Sequence, residues 1–361
     1  MVAEDKKKPN ISILIPVRNE EAIIQDCIES VKKFIIPKGL NLEIIILDGM
    51  SEDSTVRIIK DIIAKDSRIK LFLNPKKFQA SAINIGLKKA KGEWIMRLDA
   101  HSIYPENYLK LCYETAIESK ADNIGGLVIA QQNGKNYQAS LIQALTTHRF
   151  GVGDSGFRVG MSAGETDTVP YGFFKKTVFK KIGYMDERLV RAQDYEFNRR
   201  LAEFGGLIYM NPKIHIYYYN QPTLYKFLKK QIFLEAPYNA YMWYLAPYTF
   251  TIRHGITAIF SMGVLFGIIL SILSLYVKYI FLAVMALYFS LGLFSSVQQL
   301  IRYKKIWHII ALPFSFFLYH FLHGLGVISG VLKLLFKAAP VQKINEPWKG
   351  YGSYRLKIKR K

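Results

Sequence analysis

The chain has 361 residues, half of them hydrophobic, and its 49 lysines and arginines against 28 acidic residues give a formal net charge of +21. One core does not fill that length, and the apolar character beyond about residue 250 excludes a wholly soluble single domain. Two cysteines, Cys27 and Cys112, each inside a helical pattern, leave no room for a disulfide framework or a zinc site and suit a reducing compartment.

Basic residues crowd beside the apolar segments and in the stretch 343–361, without RNP-type or zinc-finger signatures, so anionic lipid is the expected partner and nucleic acid is not. The first ten residues are charged and lack an apolar core, so no signal peptide is read there. Oligomeric state is not legible.

A buried strand is predicted over 11–17, followed by Arg18-Asn19-Glu20-Glu21 opening an amphipathic helix to about Phe34. A second strand over 42–47 ends in Asp48 and leads into a helix over 54–65; a third, 69–73, precedes a helix over 78–90. The fourth, Trp94 to Leu98, stops at Asp99-Ala100-His101 and a turn at Ser102 and Pro105. Strands alternating with helices of this length call for an α/β fold with a largely parallel, doubly wound sheet. In such a sheet the residues just past the strand ends face the ligand crevice.

The pattern then loosens into a helix over 106–119, a strand over 124–130, a polar helical stretch over 137–149 and a Gly-rich segment over 151–164. That segment reads equally as a loop ordering over substrate and as a bland surface loop. Thr168 to Phe173, a helix over 175–182, a helix opening at Arg191 and running to Phe204, and a strand region over 207–219 complete the first domain, 1–220, with halves 10–104 and 105–220. Residues 221–252 mix lysine with aromatic and aliphatic residues and are expected to lie on a bilayer. Residues 253–336 form a transmembrane region with spans over 256–277 and 279–300, a turn at Lys278, and a third apolar segment, 306–336, that crosses or re-enters. Arg253 and His254 before the first span, and Arg302, Lys304 and Lys305 after the second, place both flanks in the cytoplasm. Residues 337–361 are a basic tail.

Asp99 and His101 read either as ligands of one divalent cation that holds a diphosphate, or as turn residues. Asp48 suits a base edge or ribose hydroxyls, while helix capping falls to Asp53, Ser54 or Thr55. Asp194 is either an N-cap or a general base, with Glu196 as the fallback. His215 is either a satisfied strand histidine or a third metal ligand. His320 and His323, in an apolar helix near Gly324, Gly326 and Gly330, favour interhelical packing over contact with a lipid phosphate.

Ser12 through Glu20, Asp48 through Thr55, Asn84-Ile85-Gly86 through Glu93, and Leu98-Asp99-Ala100-His101 resemble the GT-A fold glycosyltransferases of family 2. The Asp-Ala-His variant, with Thr168 to Gly172 and Tyr319-His320 to Gly326, is similar to the membrane-anchored branch typified by the succinoglycan-type glucosyltransferase. The resemblance implies a Rossmann-like mixed sheet followed by interfacial helices and a C-terminal transmembrane region. It also implies that Pro16, Val17, Glu20, Asp48 and Asp99 bind the nucleotide sugar and that Asp99, His101 and His215 hold the metal. Asp194 would be the base, and Tyr171, Gly172 and Gln193 would lie on the acceptor side. Histidine in place of the second metal carboxylate favours Mn2+ over Mg2+. Gln193 in place of the usual glutamate removes a like charge, so Asp194 is expected to hold its proton less readily.

No Gln-x-x-Arg-Trp signature follows Thr223, so one sugar is expected to be added rather than a polymer. The implied activity is inverting, metal-dependent transfer from a nucleotide-diphosphate sugar, a UDP-hexose by preference, to a polyprenyl-linked acceptor at the cytoplasmic face of the cell membrane. Transfer to bare polyprenyl phosphate, as in the dolichol-phosphate-mannose type, is the alternative, and a non-catalytic membrane scaffold is the alternative of another class.

Overall fold

The structure is a computed structural model that describes residues 10–134 and 136–341. Among them, residues 10–128 and 161–218 make one compact unit, and 129–160 with 219–341 make a second. Residues 129–160, expected in the first domain, therefore group with the helical part of the chain. The tail expected over 337–361 lies outside the described residues from position 342 onward.

The chain opens with β1 (Ile11–Val17), α1 (Ile24–Lys32), β2 (Leu42–Asp48), α2 (Thr55–Ile63), β3 (Ile69–Leu73), α3 (Gln79–Lys89) and β4 (Trp94–Arg97). It continues through β5 (Ser102–Ile103), α4 (Tyr108–Ser119) and β6 (Asn123–Gln131), then α5 (Tyr137–Thr146), α6 (Arg149–Val152) and α7 (Gly156–Val159). Next come β7 (Gly164–Glu165), β8 (Phe173–Lys175), α8 (Lys176–Ile182), α9 (Gln193–Glu203) and β9 (Ile208–Tyr219). The sheet order is β3-β2-β1-β4-β8-β6-β9-β5, with β7 on β9.

The first four strands are parallel, as their continuous apolar runs require of strands covered on both faces. β1 and β2 are buried along almost their whole length, and α2 turns Thr55, Ile59 and Ile62 inward at helical spacing. The register sets Val17 opposite Asp48 and Leu14 opposite Arg97, so the carboxyl ends of β1, β2 and β4 lie side by side. Beyond β4 the sheet turns antiparallel, through β8 to β6. This makes it mixed, with strands of two or three residues at β5, β7 and β8. The fold is the GT-A-like mixed sheet expected, followed by apolar helices.

In the helical unit, Asn136 caps α5 by accepting from the Ala139 N–H at 2.8 Å, and α5 packs Leu141, Ile142 and Leu145 with Leu312 and Phe316. The segment after β9 forms α10 (Leu224–Lys230), a π-helical turn over Gln231–Glu235, and α11 (Ala236–Leu245). Then come α12 (Ile252–Leu273), α13 (Leu275–Tyr303) and α14 (His308–Leu335), each long and apolar enough to cross a membrane. The turn between α12 and α13 falls at Ser274 rather than Lys278, which lies in the first turn of α13. α14 runs unbroken through Pro313.

Apolar side chains such as Phe266, Leu287 and Ile310 point outward, while polar groups pair between helices. Ser261 Oγ donates to the Phe321 carbonyl at 2.8 Å, Thr257 Oγ1 lies 2.9 Å from His323 Nδ1, and Tyr288 Oη lies 2.7 Å from His320 Nδ1. His320 and His323 thus serve packing. A Cβ on Gly326 or Gly330 would come within 2.7 Å of the Ile232 carbonyl oxygen or 2.6 Å of the Pro237 carbonyl oxygen, so α14 is glycine where other backbone crosses it.

Candidate active site

The loops after β1 and β2 are stitched together. Asn19, at φ 52°, donates its N–H to Ser51 Oγ at 2.9 Å and accepts from the Glu52 N–H at 2.9 Å. The Glu20 N–H donates to Thr55 Oγ1 at 2.8 Å, and the Ser54 N–H to Glu21 Oε2 at 2.9 Å. Asp53 accepts from the Thr55 N–H at 3.0 Å from the position before the N-cap, Ser54, whose own side chain makes no cap bond. Asp48 is buried and takes on a similar turn-holding role, accepting from Ser51 Oγ at 2.5 Å and the Ser51 N–H at 3.1 Å. Its carboxylate is therefore fixed in place beside Pro16 and Val17 before any ligand arrives.

At the end of β4, the strand period of two carries Arg97 and Asp99 to the same side. Arg97 is buried, donating through Nη1 to Asp194 Oδ2 at 2.6 Å and through Nη2 to Asp99 Oδ1 at 2.8 Å. Burial alone would lower its pKa, but Asp194 and Asp99 override this and hold the guanidinium charged. The backbone of Asp99 is clamped by Tyr104, whose hydroxyl accepts from the Asp99 N–H at 2.8 Å and donates to its carbonyl at 3.1 Å. His101 turns back toward the same place, with Nε2 4.0 Å from Asp99 Oδ2 and Nδ1 3.3 Å from Glu20 Oε1.

Asp194 comes from α9, whose N-cap is Ala192 in the left-handed region at φ 63°. Asp194 is therefore inside the first turn and is not the cap. Its Oδ1 is shielded from solvent and has no hydrogen-bond partner among the described residues. Burial pushes its pKa up; Arg97 pulls it back and Asp99 adds to the rise, leaving it raised. A glutamate at 193 would add a further like charge; with glutamine there, burial stands as the largest cause of the rise. The fallback Glu196 is committed to a buried ion pair with Arg200 at 2.7 Å.

Gln193 donates through Nε2 to Gln79 Oε1 at 2.5 Å, and Gln79 donates through Nε2 to Asp99 Oδ1 at 2.8 Å. Tyr171, at φ 65°, lies with its ring 5.3 Å from the Arg97 guanidinium carbon, and burial pushes its phenol up. Gly172 has φ +92°, and a Cβ there would strike the Phe174 ring and come within 2.8 Å of Asn123 Oδ1. Of the acceptor-side trio, Tyr171 and Gln193 are buried supports of the Arg97 cluster.

His215 does not join Asp99 and His101. Its Nδ1 lies 3.2 Å from the Lys213 carbonyl and its Nε2 3.5 Å from Tyr217 Oη. β5 pairs Ser102 with Tyr218, so the ring near His101 is Tyr218, at 6.1 Å, and His215 is three residues away, about 10 Å along the strand. Among the described residues no three His, Cys, Asp or Glu side chains gather to hold a metal. Sequence reading missed Arg97 and Gln79. Arg97 carried a signal, two residues before Asp99 in a strand; Gln79 carried a weaker one, opening the helix after β3.

Residues 12–183 match the sequence model of Glycosyl transferase family 2. Over 334 residues the chain is 31% identical to the dolichyl N-acetyl-alpha-D-glucosaminyl phosphate 3-beta-D-2,3-diacetamido-2,3-dideoxy-beta-D-glucuronosyltransferase of Methanococcus voltae, covering 90% of this chain and 97% of the relative. It is 28% identical over 226 residues to the succinoglycan biosynthesis protein ExoA of Rhizobium meliloti, covering 62% of this chain and 67% of that one. Among solved structures, the mannosyltransferase PcManGT from Pyrobaculum calidifontis, in complex with GDP-Man and Mn2+, shares the fold with a TM-score of 0.56 at 14% identity, over 92% of this chain and 88% of that one. A parallel half-sheet with acidic residues at its strand ends, and a relative aligned almost end to end, place the chain in one family: it belongs to glycosyl transferase family 2.

Proposed function

We propose that this glycosyltransferase is inverting and non-processive, and moves one sugar from a nucleotide-diphosphate sugar, a UDP-hexose by preference, to a lipid-linked acceptor. The observation that carries the reading is the meeting of Asp194 with Asp99 through a single buried guanidinium. The Asp194 carboxylate takes the proton of the acceptor hydroxyl, the hydroxyl oxygen bonds to the anomeric carbon, and the bond from that carbon to the diphosphate breaks. Asp48, Pro16, Val17 and Glu20 border the nucleotide, with Asp48 held by Ser51 to accept from ribose or base.

The donor set fits a divalent cation in part: Asp99 Oδ2 faces the His101 ring, one carboxylate oxygen and one imidazole nitrogen. Asp99 and His101 would hold the ion, Mn2+ rather than Mg2+, and when bound it supplies positive charge beside the departing diphosphate. The name of the Methanococcus voltae relative specifies a dolichyl phosphate already carrying a sugar, which supports a sugar-bearing polyprenyl phosphate as acceptor. α12 and α13 form a membrane hairpin whose flanks, Arg253, Arg302, Lys304 and Lys305, favour the cytoplasmic side.

Asp194→Asn tests the base. Turnover on a polyprenyl-phosphate-linked sugar is expected to fall by about a hundredfold or more while donor binding survives, and unchanged turnover rules the role out. Bare polyprenyl phosphate, supplied in parallel, is expected to remain unglycosylated.

A further inference from the structure

β4 is otherwise a strand of apolar side chains, and burying a guanidinium within it is costly unless its charge is met. Here it is met twice, and one planar fork spans carboxylates that belong to residues 97 and 2 positions away in the chain. Lysine, a point charge, reaches one partner rather than both. Asp194 spends Oδ2 on this fork, leaving Oδ1 buried and without a partner, as Gln193 Oε1 also is among the described residues. The Asp194 side chain as a whole is about a third exposed, so the carboxylate borders solvent although Oδ1 itself is covered.

A second connection runs from the same Asp99 oxygen through Gln79 to Gln193. Two hydrogen-bonded paths thus leave Asp99 Oδ1 and end on consecutive residues at the start of α9. We propose that Arg97 is the positioning residue for the base: clamped between Asp99 and Asp194, its guanidinium fixes the orientation in which the Asp194 carboxylate meets the acceptor hydroxyl. The proposal rests on the reading of Asp194 as base. Gln79 donates to the same Asp99 oxygen as Arg97 and adds a second tie to α9 through Gln193.

The test uses the full chain in detergent with a polyprenyl-phosphate-linked sugar as acceptor, comparing Arg97→Gln, Arg97→Lys, Asp194→Asn and the double variant Arg97→Gln/Asp194→Asn. Nucleoside diphosphate affinity and melting temperature are measured alongside kcat. Arg97→Gln is expected to lower kcat about a hundredfold with diphosphate affinity within about threefold, and the double variant is expected to be no slower than Asp194→Asn alone. If Arg97→Gln does not fold, Arg97→Lys carries the test, with an expected loss of about tenfold in kcat while diphosphate affinity stays within about threefold. Full turnover in either Arg97 variant overturns the proposal while Asp194→Asn remains inactive. A double variant slower than Asp194→Asn by the whole Arg97 factor also overturns it, because Arg97 would then act elsewhere. Full turnover in Asp194→Asn removes the base reading itself, and the positioning role with it.

Discussion

In the proposed role of base Asp194 must be ionised, yet burial raises its pKa, Arg97 opposes the rise and Asp99 adds to it. On that reading the acid limb of kcat is expected to be displaced upward. Turnover is expected to climb with pH through a midpoint above the usual aspartate value of about 3.9 and then level off, as measured across about pH 4 to 8. A midpoint at or below the ordinary value would assign the proton to another group. The same sign makes the protonated form the one the fold prefers, so any contribution of this group to stability is lost as pH rises through its folded value. Asp48 and Asp194 were both legible as acids at element ends, but their local roles were not. Asp48 is turned into its own loop by Ser51, and Asp194 is displaced from the cap position by the left-handed Ala192.

Among the elements, β2 carries a second buried carboxylate. Glu43 accepts from Ser12 Oγ, the Lys91 N–H and Lys70 Nζ, each at 2.7 Å, so one side chain ties β1, β2, β3 and the turn before β4. Burial would raise its pKa, but these donors together, Lys70 foremost, hold it below the ordinary glutamate value. Its contribution is full above about pH 4.3 and is lost as pH falls through the lower folded value. Glu43→Gln is expected to cost about 2 kcal/mol at neutral pH and to flatten the acid side of the stability curve, as read by melting temperature against pH. The long parallel strands and their helices were visible in the sequence because apolar runs and helical spacing are local properties. β5, β7 and β8, of two or three residues, are too short for any period to show. The same limit moved the helical turn from Lys278 to Ser274, since apolar content alone does not mark where a helix breaks.

In the helical unit, α14 depends on side chains that are absent. A Cβ on Gly324 would overlap the Thr257 carbonyl oxygen and Ser261 Oγ of α12. Gly324→Leu is expected to separate α14 from α12, lowering the melting temperature of the detergent-solubilised protein and exposing the helical unit to protease, whereas Leu335→Ala, at an exposed position, is expected to change neither. By itself the sequence determined the alternation of strands and helices, the acids at the strand ends and the apolar segments, because each is written in residues close together along the chain. Only the tertiary structure decided which of those groups meet. Arg97 finds Asp194 across 97 residues and Gln79 finds Gln193 across 114, while His215, plausible by type, is carried past Asp99 by the register of β9 against β5. Periodicity states which face a side chain takes; the packing of distant strands and helices supplies its partner, as it supplies Arg97 to Asp194.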